Sequence, residues 1–380
     1  MTMNPPGNLA VIDRGALRHN YRLLRRLLSP DVGIMAVVKA DAYGHGLVPS
    51  ATAFAVAGAA CFGVATVEEG VALRQAGIEG EIVVLLGLGP EGVVEAVSRN
   101  LSPVVFDSAI PAALSRQAVA GNREVGVHLK VDLGMGRLGL APAAALQLAA
   151  EIHRLPGLRL AGLLSHFPLA DQREAAAACR RQWRQLAAIG EEVAALGGGR
   201  PRLHLANSAG LLRFAEARGD LVRPGLSLYG YSPLDFPVAG MDWAELRPAM
   251  ALKSRIMQIK ELPAGSGISY GHRFVTTGPT RLAVIPLGYA DGYPRGVSGR
   301  ALVLIGGKRV PLRGTICMNA CLAEIDAVPA ARVGDEVVFM GRQGEEVIDA
   351  AEIAGWHQTI PYEILCRFGA ANKREYVDDG

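Results

Sequence analysis

Between Ile34 and Arg223, eight short apolar runs alternate with stretches of helical periodicity, and this alternation limits the folds open to the chain. The runs fall at 34–38, 61–65, 82–86, 103–106, 126–131, 160–165, 202–205 and 221–223. They are too continuously apolar for half-exposed strands, so the pattern predicts a buried parallel sheet. Helical patterns at 67–76, 91–99, 141–154 and 174–195 lie between them. Eight strands, each but the last followed by a helix, in about 200 residues is the count of a (β/α)8 barrel. An open doubly wound sheet would more often show five or six strands and a GxGxxG turn after the first; that turn is missing.

After about residue 238 the texture changes. Helical periodicity gives way to turn-rich strands predicted at 252–259, 282–285, 301–305, 310–312 and 336–340, with one short helix at 350–354. The 380 residues are enough for two cores. The expected fold class is therefore α/β plus β: an N-terminal (β/α)8 barrel over 1–240, then a mainly β-strand C-terminal domain over 241–380.

Charge and cysteine usage exclude several classes. Thirty-nine basic against 36 acidic residues leave a net charge of +3, too little for a nucleic-acid face. The arginine-rich stretches 17–28 and 180–184 read as the solvated sides of amphipathic helices. Residues 47–67 carry no charge, but Pro49, Gly58 and Gly63 divide them into a helix and a strand, so no membrane span is expected. Five scattered cysteines without a CxxC spacing argue for a reducing compartment and against a disulfide scaffold or a metal site. The first 17 residues show no secretory pattern, and a cytoplasmic protein is expected.

In such a barrel, chemistry sits at the carboxyl ends of the strands. Lys39 follows the first strand in AVVKADAYGHG, Lys130 ends the fifth with Arg137 just beyond, and His166 ends the sixth. Asn207 and Ser208 follow the seventh, and Arg223 and Gly225 end the eighth. Desolvation at a buried strand end lowers a lysine's pKa and makes it a candidate Schiff-base nucleophile. Ser208 and the backbone near Gly225 suit a phosphate. A Schiff-base lysine facing a phosphate cradle implies pyridoxal 5′-phosphate.

AVVKADAYGHG, KVDLGMGRLG (130–139), SHF (165–167), HLANSAG (204–210), VRPGLSLYG (222–230), SYG (269–271), GYADGYPR (288–295), GTICMN (314–319) and TIPYEILC (359–366) together resemble the motif series of the alanine racemases. Order and spacing hold from the first barrel strand almost to the carboxyl terminus. The resemblance implies a PLP barrel followed by a β domain, and a homodimer with shared active sites that racemises alanine and supplies D-alanine for peptidoglycan.

By this resemblance Lys39 binds the cofactor and is one of two catalytic bases; Tyr270, reaching the partner subunit's site, is the other. Two opposed bases suit a reaction that removes a proton from one face and returns it to the other. A phenol ordinarily titrates near about 10, so it needs cationic neighbours, a role that His166 and Arg223 would fill. Arg223 would also face the pyridine nitrogen and, as a permanent donor, leave it unprotonated. Tyr43, Asn207, Ser208, Gly225, Leu226 and Tyr362 match cofactor-binding positions. Arg137 matches the residue contacting the cofactor phenolate and the substrate carboxylate. Met318 would give that carboxylate a backbone N–H, and Tyr289 would belong to the inner gate. Lys130 matches a lysine that many members carbamylate.

Asn319 stands where an aspartate is common, Leu133 replaces a usual threonine, and Pro168–Leu169 alter the loop after His166. These departures bear on substrate access more than on reaction type. A PLP-dependent decarboxylase on the same plan is the alternative, but it would carry a carboxylate where Arg223 stands. A broader-specificity racemase would be expected to be exported, and a non-catalytic PLP carrier would consist of the barrel alone.

Overall fold

The computed structural model describes residues 7–238 and 240–379; the ends of the expected domains at 1–6, 239 and 380 lie outside the described residues. The chain forms two compact units. One takes 17–42 and 47–247, the other the described residues up to Ala16, 43–46 and everything from Pro248.

The amino-terminal strand β1 (Leu9–Asp13) is followed by the helix Arg14–Arg26. Eight parallel strands of the first unit then come in order: β2 (Gly33–Val37), β3 (Cys61–Val64), β4 (Glu81–Val84), β5 (Ser102–Val105), β6 (Val125–Lys130), β7 (Leu158–Leu164), β8 (Arg202–His204) and β9 (Leu221–Val222). Each pairs with its predecessor from β3 to β8, and β9 pairs with β2. Hydrogen bonds from Asp220 N to Leu203 O (2.9 Å) and Arg223 N to Ala206 O (2.8 Å) stitch β9 to the end of β8. The barrel expected from the sequence is thus present. Met35, Cys61, Val83, Val104, Leu164 and Leu221, from six strands, form one buried cluster, since parallel strands covered on both faces must be apolar throughout.

The second unit holds β10 (Met250–Arg255), β11 (Gln258–Leu262), β12 (Gly267–Ile268), β13 (Phe274–Val275), β14 (Thr280–Ile285), β15 (Leu302–Ile305), β16 (Lys308–Arg313), β17 (Cys321–Glu324), β18 (Glu336–Gln343), β19 (Glu346–Ile348) and β20 (Lys373–Val377). All but the β12–β13 hairpin join one largely antiparallel sheet. Compared with the expected split at 240, β1 lies in the sheet of the second unit, antiparallel to β10 and parallel to β20. The stretch 252–259 is two strands: β10 pairs with β18, and β11 pairs with β14.

The TIPYEILC segment opens the helix Pro361–Ala371, where proline occupies a first-turn position that needs no N–H. Among the described residues, no helix is long and apolar enough to cross a membrane.

Candidate active site

Val38 N donates to Gly63 O at 2.8 Å, carrying the β2 edge as far as Lys39. The backbone then reverses hand. Ala40, Asp41, Ala42 and Tyr43 all have φ of 54–55°. A left-handed turn of residues bearing Cβ costs roughly 1–2 kcal/mol per residue, and such strain persists only where its surroundings enforce it. Two carboxylates do so. Glu69 accepts from Asp41 N (3.2 Å) and Ala65 N (2.7 Å), tying the turn to the end of β3. Asp41 in turn accepts from Leu47 N at 2.7 Å. Neither carboxylate was a candidate from sequence, because each acts only through folded backbone.

Lys130 ends β6 and is buried. Burial, with Arg223, Arg137 and Lys39 nearby, pushes its ammonium down to about 8. The following loop is organised by Asp132, whose carboxylate accepts from Gly134 N, Met135 N and Gly136 N at 2.8–3.2 Å. Arg137 projects from this loop into solvent. Burial drives His166 well below its usual value, and Arg223, Arg137, Lys130 and Lys39 add to the effect.

Arg223 is buried, and its donors reach His204 O (2.6 Å), Ser165 O (2.7 Å), His204 Nδ1 (3.1 Å) and His166 Nδ1 (3.2 Å). Burial lowers it to about 10, which still leaves it charged at neutral pH.

Asn207 caps the helix Ser208–Arg213 by accepting from Gly210 N at 3.0 Å, so its side-chain oxygen is committed to the fold. Ser208 Oγ accepts from Gly225 N (3.0 Å) and Ser227 N (3.3 Å), leaving its own hydrogen to donate. The buried Ser227 Oγ has no partner among the described residues. Gly225 and Leu226 begin the turn that holds it.

In the second unit Tyr43 and Tyr362 lie with ring centroids 5.8 Å apart. Burial, then Tyr362 and Cys366, raise the Tyr43 hydroxyl above its usual value. This packing needs two glycines: a Cβ on Gly44 would come 2.4 Å from Leu365 O, and one on Gly369 would come 1.8 Å from Gly44 O.

Tyr270 sits in a turn pinned from both sides. Thr315 Oγ1 donates to Tyr270 O at 2.8 Å, and Ser269 Oγ donates to Thr315 O at 2.6 Å. Its ring is 70% exposed. Tyr289 and Met318 are exposed on loops locked by Tyr289 N to Cys317 O (3.1 Å) and Ala290 N to Met318 O (2.9 Å); Asn319 is exposed beside them.

The first unit thus gathers Lys39, Arg137 and Arg223 closely enough to Lys130 and His166 to lower both of them. Asp132 is the acid that acts on Lys130, and it is engaged by backbone amides. A concentration of positive groups at one barrel rim suits an anionic ligand such as a phosphate ester or an amino-acid carboxylate. Together with the donor left on Ser208 and the orphaned Ser227 hydroxyl, the donor set fits pyridoxal phosphate.

The family profile described as "Alanine racemase, N-terminal domain" matches residues 12–233, and "Alanine racemase, C-terminal domain" matches residues 249–376. The alanine racemase of Halothermothrix orenii is 39% identical over 97% of this chain and 96% of that protein. The crystal structure of alanine racemase from D-cycloserine-producing Streptomyces lavendulae superposes with a TM-score of 0.92, at 37% identity over 99% of this chain and 98% of that one. That of Bartonella henselae alanine racemase, solved with covalently bound pyridoxal phosphate, gives 0.86 at 28% identity, covering 98% of this chain and 100% of that one. With both domain profiles matched in order and relatives alike over nearly their whole length, this chain belongs to the alanine racemase family.

Proposed function

We propose that this member of the family, an isomerase that interconverts L- and D-alanine, does so on pyridoxal 5′-phosphate with proton carriers on opposite faces of the substrate. The carrying observation is the rim on which Lys39, Lys130, Arg137 and Arg223 surround His166, which they and burial hold neutral rather than cationic as expected from the sequence. When bound, pyridoxal phosphate supplies the electron-accepting ring that acidifies the α-hydrogen of alanine.

Lys39 tethers the cofactor and moves the proton on one face; the strained turn behind it limits the directions its amine can take. Arg223, a permanent donor, would hold the cofactor by its pyridine nitrogen and would disfavour protonation there, which would weaken the electron sink and favour return of the proton over side reactions. Ser208 donates its free hydrogen to the phosphate, with Asn207, Gly225, Leu226, Tyr43 and Tyr362 completing that end. Arg137 and the Met318 backbone hold the substrate carboxylate, and Tyr289 narrows the approach. Lys130 would be carbamylated: a buried amine lowered to about 8 is partly neutral at physiological pH and can attack carbon dioxide, losing a proton to solvent as the N–C bond forms and giving an anion that would steady Arg137.

Tyr270 is the second carrier. An exposed phenol on a rigid turn suits insertion into a second copy, so the working form is a homodimer with shared sites. A cytoplasmic enzyme supplying D-alanine for peptidoglycan is the corresponding cellular role.

The test is to incubate the PLP-loaded protein with L-alanine and, separately, L-lysine. Formation of D-alanine supports the reading. Release of carbon dioxide from L-lysine without D-alanine overturns it in favour of a decarboxylase.

A further inference from the structure

Within the barrel runs a line of polar side chains that alanine racemisation, as described, leaves without a task. Glu81 opens β4 and Arg202 opens β8, at the opposite strand ends from Lys39 and Arg223. His128 lies within β6, His204 ends β8, and both are fully buried. Arg202 donates to the two Glu81 carboxylate oxygens at 2.7 and 2.6 Å. His128 Nε2 lies 3.1 Å from Glu81 Oε1, and His128 Nδ1 lies 2.9 Å from His204 Nε2. His204 Nδ1 lies 3.1 Å from Arg223 Nη1, and Arg223 Nη2 lies 3.2 Å from His166 Nδ1.

The chemistry of the two ends fixes every hydrogen between them. A guanidinium only donates, so His204 Nδ1 and His166 Nδ1 accept. His204 therefore carries its hydrogen on Nε2 and gives it to His128 Nδ1. His128 then carries its hydrogen on Nε2 and gives it to Glu81. An ionised carboxylate only accepts, so the direction demanded at Arg223 and the direction demanded at Glu81 agree. Although burial opposes it, hydrogen bonds from His128 and Arg202 hold the Glu81 carboxyl well below the usual carboxylate range. Burial lowers both histidines and keeps them neutral, as the chain requires.

The backbone makes room for this line. Gly162 pairs with His128 on one side and Arg202 on the other. A Cβ there would stand 2.2 Å from His128 Nδ1 and 2.9 Å from His204 Nε2. Its φ does not lie in the left-handed region, so the site needs a glycine for space rather than for conformation.

We propose that Glu81, held by Arg202, is a positioning residue that polarises the His128–His204 chain in one direction and so keeps Arg223 correctly aimed. This rests on the reading of Arg223 as the partner of the cofactor's pyridine nitrogen. Reversal of either ring would turn a histidine N–H against the guanidinium and displace it. Glu81→Gln is the discriminating change, because an amide fills the same volume and can either donate or accept.

The holoenzyme carrying 15N-labelled histidine should show His128 and His204 neutral with hydrogens on Nε2. In Glu81→Gln, His128 should populate the Nδ1–H form. On the same variant kcat should fall about tenfold with KM within about twofold, because transition-state alignment rather than binding is lost. Glu81→Asp should recover part of that loss. A wild-type His128 or His204 protonated on Nδ1 overturns the proposal without any variant having to fold. So does a Glu81→Gln enzyme whose ring spectra or kcat match wild type. A wild-type protein that neither binds PLP nor racemises alanine would instead refute the functional reading, while the ring spectra would still report on the chain.

Discussion

The cationic rim of the barrel and the loops that carry Tyr270 are opposite solutions to presenting a reactive group. At the rim, Arg223 is buried and its hydrogen-bond partners among the described residues are carbonyls and imidazoles of its own barrel. Its surroundings are preorganised by one polypeptide. Tyr270 has a rigid backbone, held through Thr315, but a ring left in solvent. The chain fixes where that phenol points and not what surrounds it. One group comes with its surroundings built, the other with a fixed backbone and an exposed ring.

The largest effect expected from breaking this contrast is at the finished half. Lys39→Ala should abolish the PLP absorbance of the tethered cofactor and cut activity by about 10³-fold or more, measured by spectrum and D-alanine assay. Next comes the exposed half. Tyr270→Phe should cost on the order of 10³-fold in kcat while leaving the cofactor spectrum unchanged. Mixing Lys39→Ala and Tyr270→Phe chains under conditions of subunit exchange should restore roughly a quarter of the sites, since half the dimers are hybrid and one site in each is intact. No recovery would show that both groups act within one chain.

Smaller effects separate the two units by packing. Gly369→Ala in the second unit drives a methyl into the Gly44 carbonyl and should cost about 3 kcal/mol, read by chemical denaturation. Gly162→Ala meets ring atoms that can shift, and should cost nearer ~1–2 kcal/mol while disturbing the histidine spectra.

The smallest effect is a slope. Lys130 is lowered to about 8 in the fold, against about 10.4 in an unfolded chain. Between those values the unfolded state binds more protons, so stability should rise with pH across that window. Measured in carbon-dioxide-free buffer, Lys130→Met should flatten the rise. An unchanged slope would place its origin in another group.

Much of this was legible in the sequence, for a physical reason. Parallel strands covered on both sides must be apolar without interruption, so 34–38 and 126–131 reported Gly33–Val37 and Val125–Lys130 to within a residue. Lys39, His166, Ser208 and Arg223 stood out as polar residues ending such runs. The second sheet was harder. No glycine or proline marks a turn through Ile256 and Met257, although the chain changes neighbours there, with Ile256 N bonded to Asp335 O and Met257 N to Val284 O. β20, rich in charge, and β1 owe their pairing to residues more than 350 positions away.

The line beneath Arg223 was missed because a lone histidine inside an apolar run looks like a core residue. A signal was present: His128 lies two residues before Lys130, and Arg202 two before His204, so each pair shares one face of its strand. The clamp made by Glu69 left no trace, since its partners are backbone amides.

The pairing of β1 also carries a temporal consequence. Its neighbours come much later in the chain, β10 at Met250–Arg255 and β20 at Lys373–Val377. During synthesis the barrel strands emerge before either partner and can close on themselves, while one edge of β1 waits for β10 and the other for β20. A chain cut short before β20 would keep one edge of β1 unpaired, a row of open backbone donors and acceptors.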